Sequence, residues 1–159
     1  MLVLKDSVEI HAQAGDAYEW FRNLEDNYRD WHPDHVSCRY VRGNPLEIGS
    51  VLCAEEYLHG QLHKLSFKLT SVEPGRAFNY RIAPGLRGGF RITPTKSGAE
   101  LQAELCIGWS LPIIGPLGDF VVKKFFATEL KDLRIHMREE GQNLSRLLST
   151  PEITSARQV

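Results

Sequence analysis

The segment "RIHMREE", residues 134–140, places His136 and Glu140 one helical turn apart. Side chains at i and i+4 of a helix project side by side, so an imidazole nitrogen and a carboxylate oxygen can address one point there. With Leu133 at zero and ~100° per residue, Glu140 lies about 20° from the centre of the helix's apolar face, Glu129 about 40° and His136 about 60°. Phe126, Met137 and Leu144 flank that centre on one side, and Val122 and Leu147 on the other. Lys124, Lys131, Arg138 and Gln142 gather on the opposite side, where water belongs. A carboxylate taken out of water costs several kcal/mol unless it is paired, protonated or coordinated. Glu140 therefore calls for a partner.

A second carboxylate emerges from "VLCAEEYLHGQLHKLSFKL". With His59-Gly60 as a two-residue turn, Tyr57 faces Leu62, Glu56 faces His63, Glu55 faces Lys64, Ala54 faces Leu65 and Leu52 faces Phe67. Leu65, Phe67 and Leu69 form the apolar set of the second strand, so Leu52, Ala54 and Glu56 share their face and His63 points inward. Glu55 and Lys64 pair outside; a one-residue slip of the turn would exchange Glu55 for Glu56. The loop "DWHPDH", residues 30–35, adds His32, which Pro33 biases to an extended conformation, and His35, which opens the next strand. Two imidazoles and two carboxylates thus converge: His35 or His32, Glu56, His136 and Glu140. Such a donor set suits a hard or borderline divalent cation such as zinc.

The elements that must position these residues follow from periodicity. "LVLKDSVEI" alternates as a half-buried strand, with Leu2, Leu4, Val8 and Ile10 sharing one parity. Asp16 is the expected N-cap of a short helix carrying Ala17, Trp20, Phe21 and Leu24, and "EDNYRDWHPDH" makes a second short helix or loop. Strand-like runs near 36–42, 50–58, 61–73, 77–83, 88–94 and 99–109, separated by Gly- and Pro-containing turns, predict an antiparallel meander. "SLPIIGPLGD" is an apolar loop suited to a lid or a buried connector, and a helix of roughly thirty residues is expected from about Asp119 to Leu148. One domain over 1–149 with a polar, frayed tail over 150–159 is expected.

This order of elements, with "DWHPDH" after the short helices and "EPG" between strands, resembles the START-like superfamily that includes the polyketide cyclase and birch-pollen-allergen groups. The resemblance implies an α+β helix-grip fold: a curved antiparallel sheet of about seven strands wrapped around the terminal helix, with a cavity between. A His, a Glu on a downstream strand and H-x-x-x-E on the final helix also look like the zinc site of the 2,4-diacetylphloroglucinol hydrolase group. That resemblance implies His35, Glu56, His136 and Glu140 as zinc ligands and hydrolysis of an acylated, phenolic or polyketide-like substrate. A general acid would then be needed, with His63, Glu129 and Tyr57 as candidates and His63 favoured by its inward direction. Trp31, Phe67, Phe90 and Trp109 are candidates to line the substrate chamber.

A formal net charge of -1 supplies no field for nucleic acid or anionic membranes. Cys38, Cys53 and Cys106 lack C-x-x-C spacing and read as free thiols in a reducing compartment. No apolar run approaches the ~18 residues of a membrane span, and early charges argue against a signal peptide, so a cytoplasmic location is expected. Neither a nucleotide-binding glycine loop nor a nucleophile elbow is present. Two metal-free alternatives stand beside the zinc hydrolase: a carrier of a small hydrophobic ligand, and a polyketide cyclase or dehydratase using His and Glu as acid and base.

Overall fold

The computed structural model describes residues 1–58, 60–108 and 127–149, with side chains from 130 onward in the last segment. The elements are β1 (Leu2–Ile10), α1 (Ala14–Arg22), α2 (Leu24–Trp31), β2 (His35–Arg42), β3 (Val51–Leu58), β4 (Gln61–Glu73), β5 (Ala77–Ala83), β6 (Leu86–Pro94), β7 (Ala99–Ile107) and α3 (Ala127–Ser149). The strands form one antiparallel sheet in the order β1-β7-β6-β5-β4-β3-β2, with the last helix against it: an α+β helix-grip fold. The expected tail, the lid candidate 110–119, Trp109 and the start of the long helix lie outside the described residues, as do His59 and the Glu129 side chain.

The β3–β4 hairpin pairs Tyr57 with Leu62, Glu56 with His63, Glu55 with Lys64 and Leu52 with Phe67, the register expected for a turn at 59–60. Gly60 supplies the left-handed φ of 74° that such a turn needs. Leu52, Ala54 and Glu56 are accordingly buried, whereas Glu55 meets Lys64 Nζ at 2.7 Å on the outer face.

Register shifts interrupt the ladders between His35 and Ser37, Tyr40 and Arg42, Leu69 and Ser71, and Arg81 and Ala83. An extra residue on one strand bends and twists a sheet, which lets this one curl around α3. The helix α1 starts earlier than expected: Gln13, not Asp16, is its N-cap, and Asp16 lies in the first turn, where its charge still complements the helix dipole. Pro33 follows the C-cap of α2, and His32 is extended at φ -147° and ψ 143°, as the proline led one to expect.

Among the described residues the buried side chains form two clusters. One joins α1 and α2 to the middle of the sheet through Phe21, Trp31, Phe78, Ile92 and Leu144. The smaller one gathers Leu2, Leu4, Leu105 and Met137 at the other end.

Candidate functional site

Three parts of the chain meet at one corner between the sheet and α3. The α2–β2 segment supplies Tyr28, Trp31, His32 and His35; β3 supplies Glu56; α3 supplies His136, Glu139 and Glu140. The bulge after His35 decides that residue's direction. Cys38 and Tyr40 pair with the inward Ala54 and Leu52, so strict alternation would turn His35 outward; the shift instead sets it opposite Glu56. His35, His32 and Glu56 are all buried.

Nε2 of His35 lies 3.1 Å from Oε1 of Glu140 and 3.7 Å from Oε2 of Glu56. Nε2 of His136 is 3.6 Å from the same Glu140 oxygen. None of these approaches has hydrogen-bond geometry, and both Nε2 atoms are buried without a hydrogen-bond partner. His35 Nδ1 is 3.0 Å from the Tyr28 carbonyl oxygen, which can only accept, so Nδ1 carries a proton and Nε2 is the atom turned toward the carboxylates. Tyr28 also stacks on His35, its ring centroid 4.0 Å away and nearly parallel. Its hydroxyl donates to Glu56 Oε2 at 2.6 Å. Trp31 Nε1 donates to the Glu140 carbonyl at 2.9 Å, tying α2 to α3.

Electrostatics follow this geometry. Burial pushes the Glu140 carboxyl up, but the adjacent His136 and His35 outweigh it and hold it down at about 2. Burial opposes charging of His136, yet Glu140 and then Glu56 overcome it and raise its pKa. Burial, followed by the Glu56 charge, raises Tyr28 far above the phenol range, so it stays a donor.

These donors fit a divalent cation. For a tetrahedral zinc with bonds of 2.0–2.1 Å, neighbouring donors stand roughly 3.3 Å apart, and the three separations above bracket that value. A backbone carbonyl behind His35 and a phenol behind Glu56 are the supports that orient metal ligands. His32 has a donor atom within 4.8 Å of those of His35 and His136. Both its nitrogens are engaged, however: Nδ1 accepts from the Asp34 amide at 3.1 Å, so Nε2 carries the proton facing Glu139 Oε2 at 3.1 Å. Of the two loop histidines, His35 is the one whose Nε2 is left without a hydrogen-bond partner.

A cavity of about 810 Å³ opens beside this corner, with Glu56, His136 and Glu140 on its wall. Trp31, Phe67 and Phe90 line it too, and Tyr57 stands 45% exposed on its wall. His63 shares the inner face of β4 with Leu65, Phe67 and Leu69 and is half-buried opposite Glu56, as its parity led one to expect, but it is not among the residues that line the cavity. Tyr28 escaped the sequence reading; its signal was Leu24, Tyr28 and Trp31 at i, i+4 and i+7, one buried face of α2.

Solved structures share the fold. A START superfamily protein from Mycobacterium smegmatis matches at TM-score 0.63 and 20% identity, covering 91% of this chain and 98% of that one. A polyketide-cyclase-like protein from Corynebacterium glutamicum matches at 0.61 and 14%, over 99% and 97%. Ara h 8.0201 matches at 0.67 and 10%, over 92% and 97%. No curated protein matches in sequence. Residues 1–147 match the family described as "Polyketide cyclase / dehydrase and lipid transport", and the chain belongs to that family.

Proposed function

We propose that the protein binds a small hydrophobic, ring-bearing molecule between the sheet and α3, with an oxygen of that ligand held at the His35–Glu56–His136–Glu140 corner. The carrying observation is a largely apolar chamber of about 810 Å³ with Glu56, His136 and Glu140 together on its lining. A chamber of this kind binds by apolar enclosure and orients by a few fixed polar groups. The aromatic walls, Trp31, Phe67 and Phe90, suit a planar ligand. The family description, which names both polyketide cyclases and lipid transport, supports this reading. Native mass spectrometry of gently purified protein, with N-phenylnaphthylamine fluorescence titration, tests it. A co-purifying small molecule or saturable enhancement at one site per chain is expected; an empty chamber that also fails to take up the probe would overturn it.

A second reading makes the site a zinc-dependent hydrolase of an acylated aromatic or polyketide-like substrate. It is favoured by the two partnerless Nε2 atoms of His35 and His136, buried against two carboxylates that can only accept. His35, Glu56, His136 and Glu140 would hold the ion, and zinc so bound supplies Lewis-acid polarisation of a carbonyl oxygen and an acidified water. The chain's own residues would do the rest. Tyr28 fixes the Glu56 carboxylate, the Tyr28 carbonyl fixes the His35 tautomer, and the apolar walls exclude bulk water. The metal-free cyclase reading would use the same corner for proton transfer, with the Glu140 carboxylate as base and His136, whose pKa is raised, as acid. Elemental analysis separates these readings: near-stoichiometric zinc lost in His136→Ala supports hydrolysis, and metal-free protein that still binds ligand leaves the carrier or cyclase.

A further inference from the structure

The charge of the cavity wall is one-sided. Among the described residues six acidic ones border it, Asp34, Glu56, Glu104, Asp132, Glu139 and Glu140, the Glu104 carboxylate itself turning to Lys5 on the outer face of the sheet. Among the described residues no lysine or arginine does, and His136 is the only basic side chain on the wall. Glu104 is neutralised by Lys5, whose Nζ lies 2.7 Å from its Oε2, but Lys5 is itself an outward, exposed residue. Glu139 and Asp34 approach the buried His32, and Asp34 stands half-exposed. Two of the six, Glu56 and Glu140, belong to the polar corner, so a divalent cation there would bring it to neutrality and no further. In either state the described residues offer a ligand no lysine or arginine charge, while several carboxylates border its path.

We propose that the cavity sorts ligands by charge, admitting neutral and cationic amphiphiles and rejecting carboxylates, sulfates and phosphates of the same apolar body; this rests on the ligand-binding reading above. An anionic headgroup would lose water against like charges in an apolar chamber, with no arginine fork or lysine to replace its hydration. Coulomb repulsion acts over several ångströms in a partly desolvated mouth, so the rim acids contribute as well as the deep ones. A neutral ketone or phenol meets no such barrier, and an ammonium group gains from the same carboxylates.

The test is displacement of bound N-phenylnaphthylamine from the full chain by two competitors of matched size, naphthylethylamine and naphthaleneacetate, oppositely charged at neutral pH. The amine is expected to displace the probe at roughly tenfold lower concentration than the carboxylate at low salt, with the gap narrowing as salt rises. Glu139→Lys and Asp34→Asn should each reduce the ratio severalfold. Equal competition, or better competition by naphthaleneacetate, overturns the charge sorting while leaving ligand binding intact. A ratio unmoved in both variants overturns its assignment to these carboxylates. Failure of the probe itself to bind sinks the ligand-binding reading and the sorting together.

Discussion

Tyr28 holds the site from behind, and its removal is the most direct test of how the corner is assembled. Its hydroxyl satisfies a buried carboxylate, its carbonyl sets the His35 tautomer and its ring stacks on His35. Tyr28→Phe keeps the ring and the carbonyl but strands Glu56, so urea unfolding should show a loss of about 1–3 kcal/mol, whereas Glu55→Gln on the outer face should leave the unfolding midpoint essentially unchanged. The titration of the corner has a definite sign. Glu140 binds its proton less readily in the fold than in the unfolded chain, so its contribution to stability is present above about pH 4.3 and is lost as pH falls toward about 2. His136 is raised, so its contribution is complete below about pH 6.5 and is lost as pH climbs through its elevated value. In chelator-treated protein the melting temperature should therefore peak at about pH 5–6, and Glu140→Gln should flatten both limbs. A melting temperature rising steadily to pH 8 would contradict this account.

At the scale of elements, the sequence was readable wherever a period and a turn agreed. In β3 and β4 the alternation of Leu52, Ala54 and Glu56 against Leu65, Phe67 and Leu69 settles the faces once the two-residue turn sets the register. The choice between His32 and His35 was not readable, because it depends on a bulge that reverses parity within β2, and no local pattern in "HVSC" announces one. Tyr28 was missed because α2 has only eight residues, too few for its apolar face to stand out from a loop. The long helix was legible by its period, including the placement of Glu140 against the sheet side. Gly141, its single helix-weakening residue, tests how closely α3 rides on β1. A Cβ there would meet Val8 Cγ1 at 3.4 Å and Asp6 Oδ2 at 3.5 Å, ordinary contact distances. The helix-propensity gain should therefore dominate, and Gly141→Ala is expected to stabilise the protein by about 0.5–1 kcal/mol in chemical denaturation. A loss would mean that α3 has no room to accept a methyl group over β1.

On the scale of the whole molecule, the two packed clusters among the described residues both border a chamber that neither fills. Protein interiors are otherwise close-packed, and walls without facing atoms forfeit dispersion contacts, so the open space costs stability that a purely structural fold would recover. Ala103 tests whether the space is kept for a ligand. It lies on β7 directly opposite Phe90 of β6, only partly buried, with its methyl group on the cavity wall. Ala103→Phe extends a ring into open volume rather than into packed neighbours, so it avoids the usual overpacking penalty and adds apolar burial worth about 1–2 kcal/mol. The ligand-free variant should melt a few degrees above the parent. Ligand stabilises only through binding to the folded state, so the same variant should lose most of the melting shift that N-phenylnaphthylamine gives the parent, with affinity down by about tenfold. Greater intrinsic stability with weaker ligand stabilisation is the signature of a chamber retained for its occupant. If both quantities fell together, the space would be a packing defect sensitive to any insertion, and the walls around His35 and Glu140 would have to be read as core.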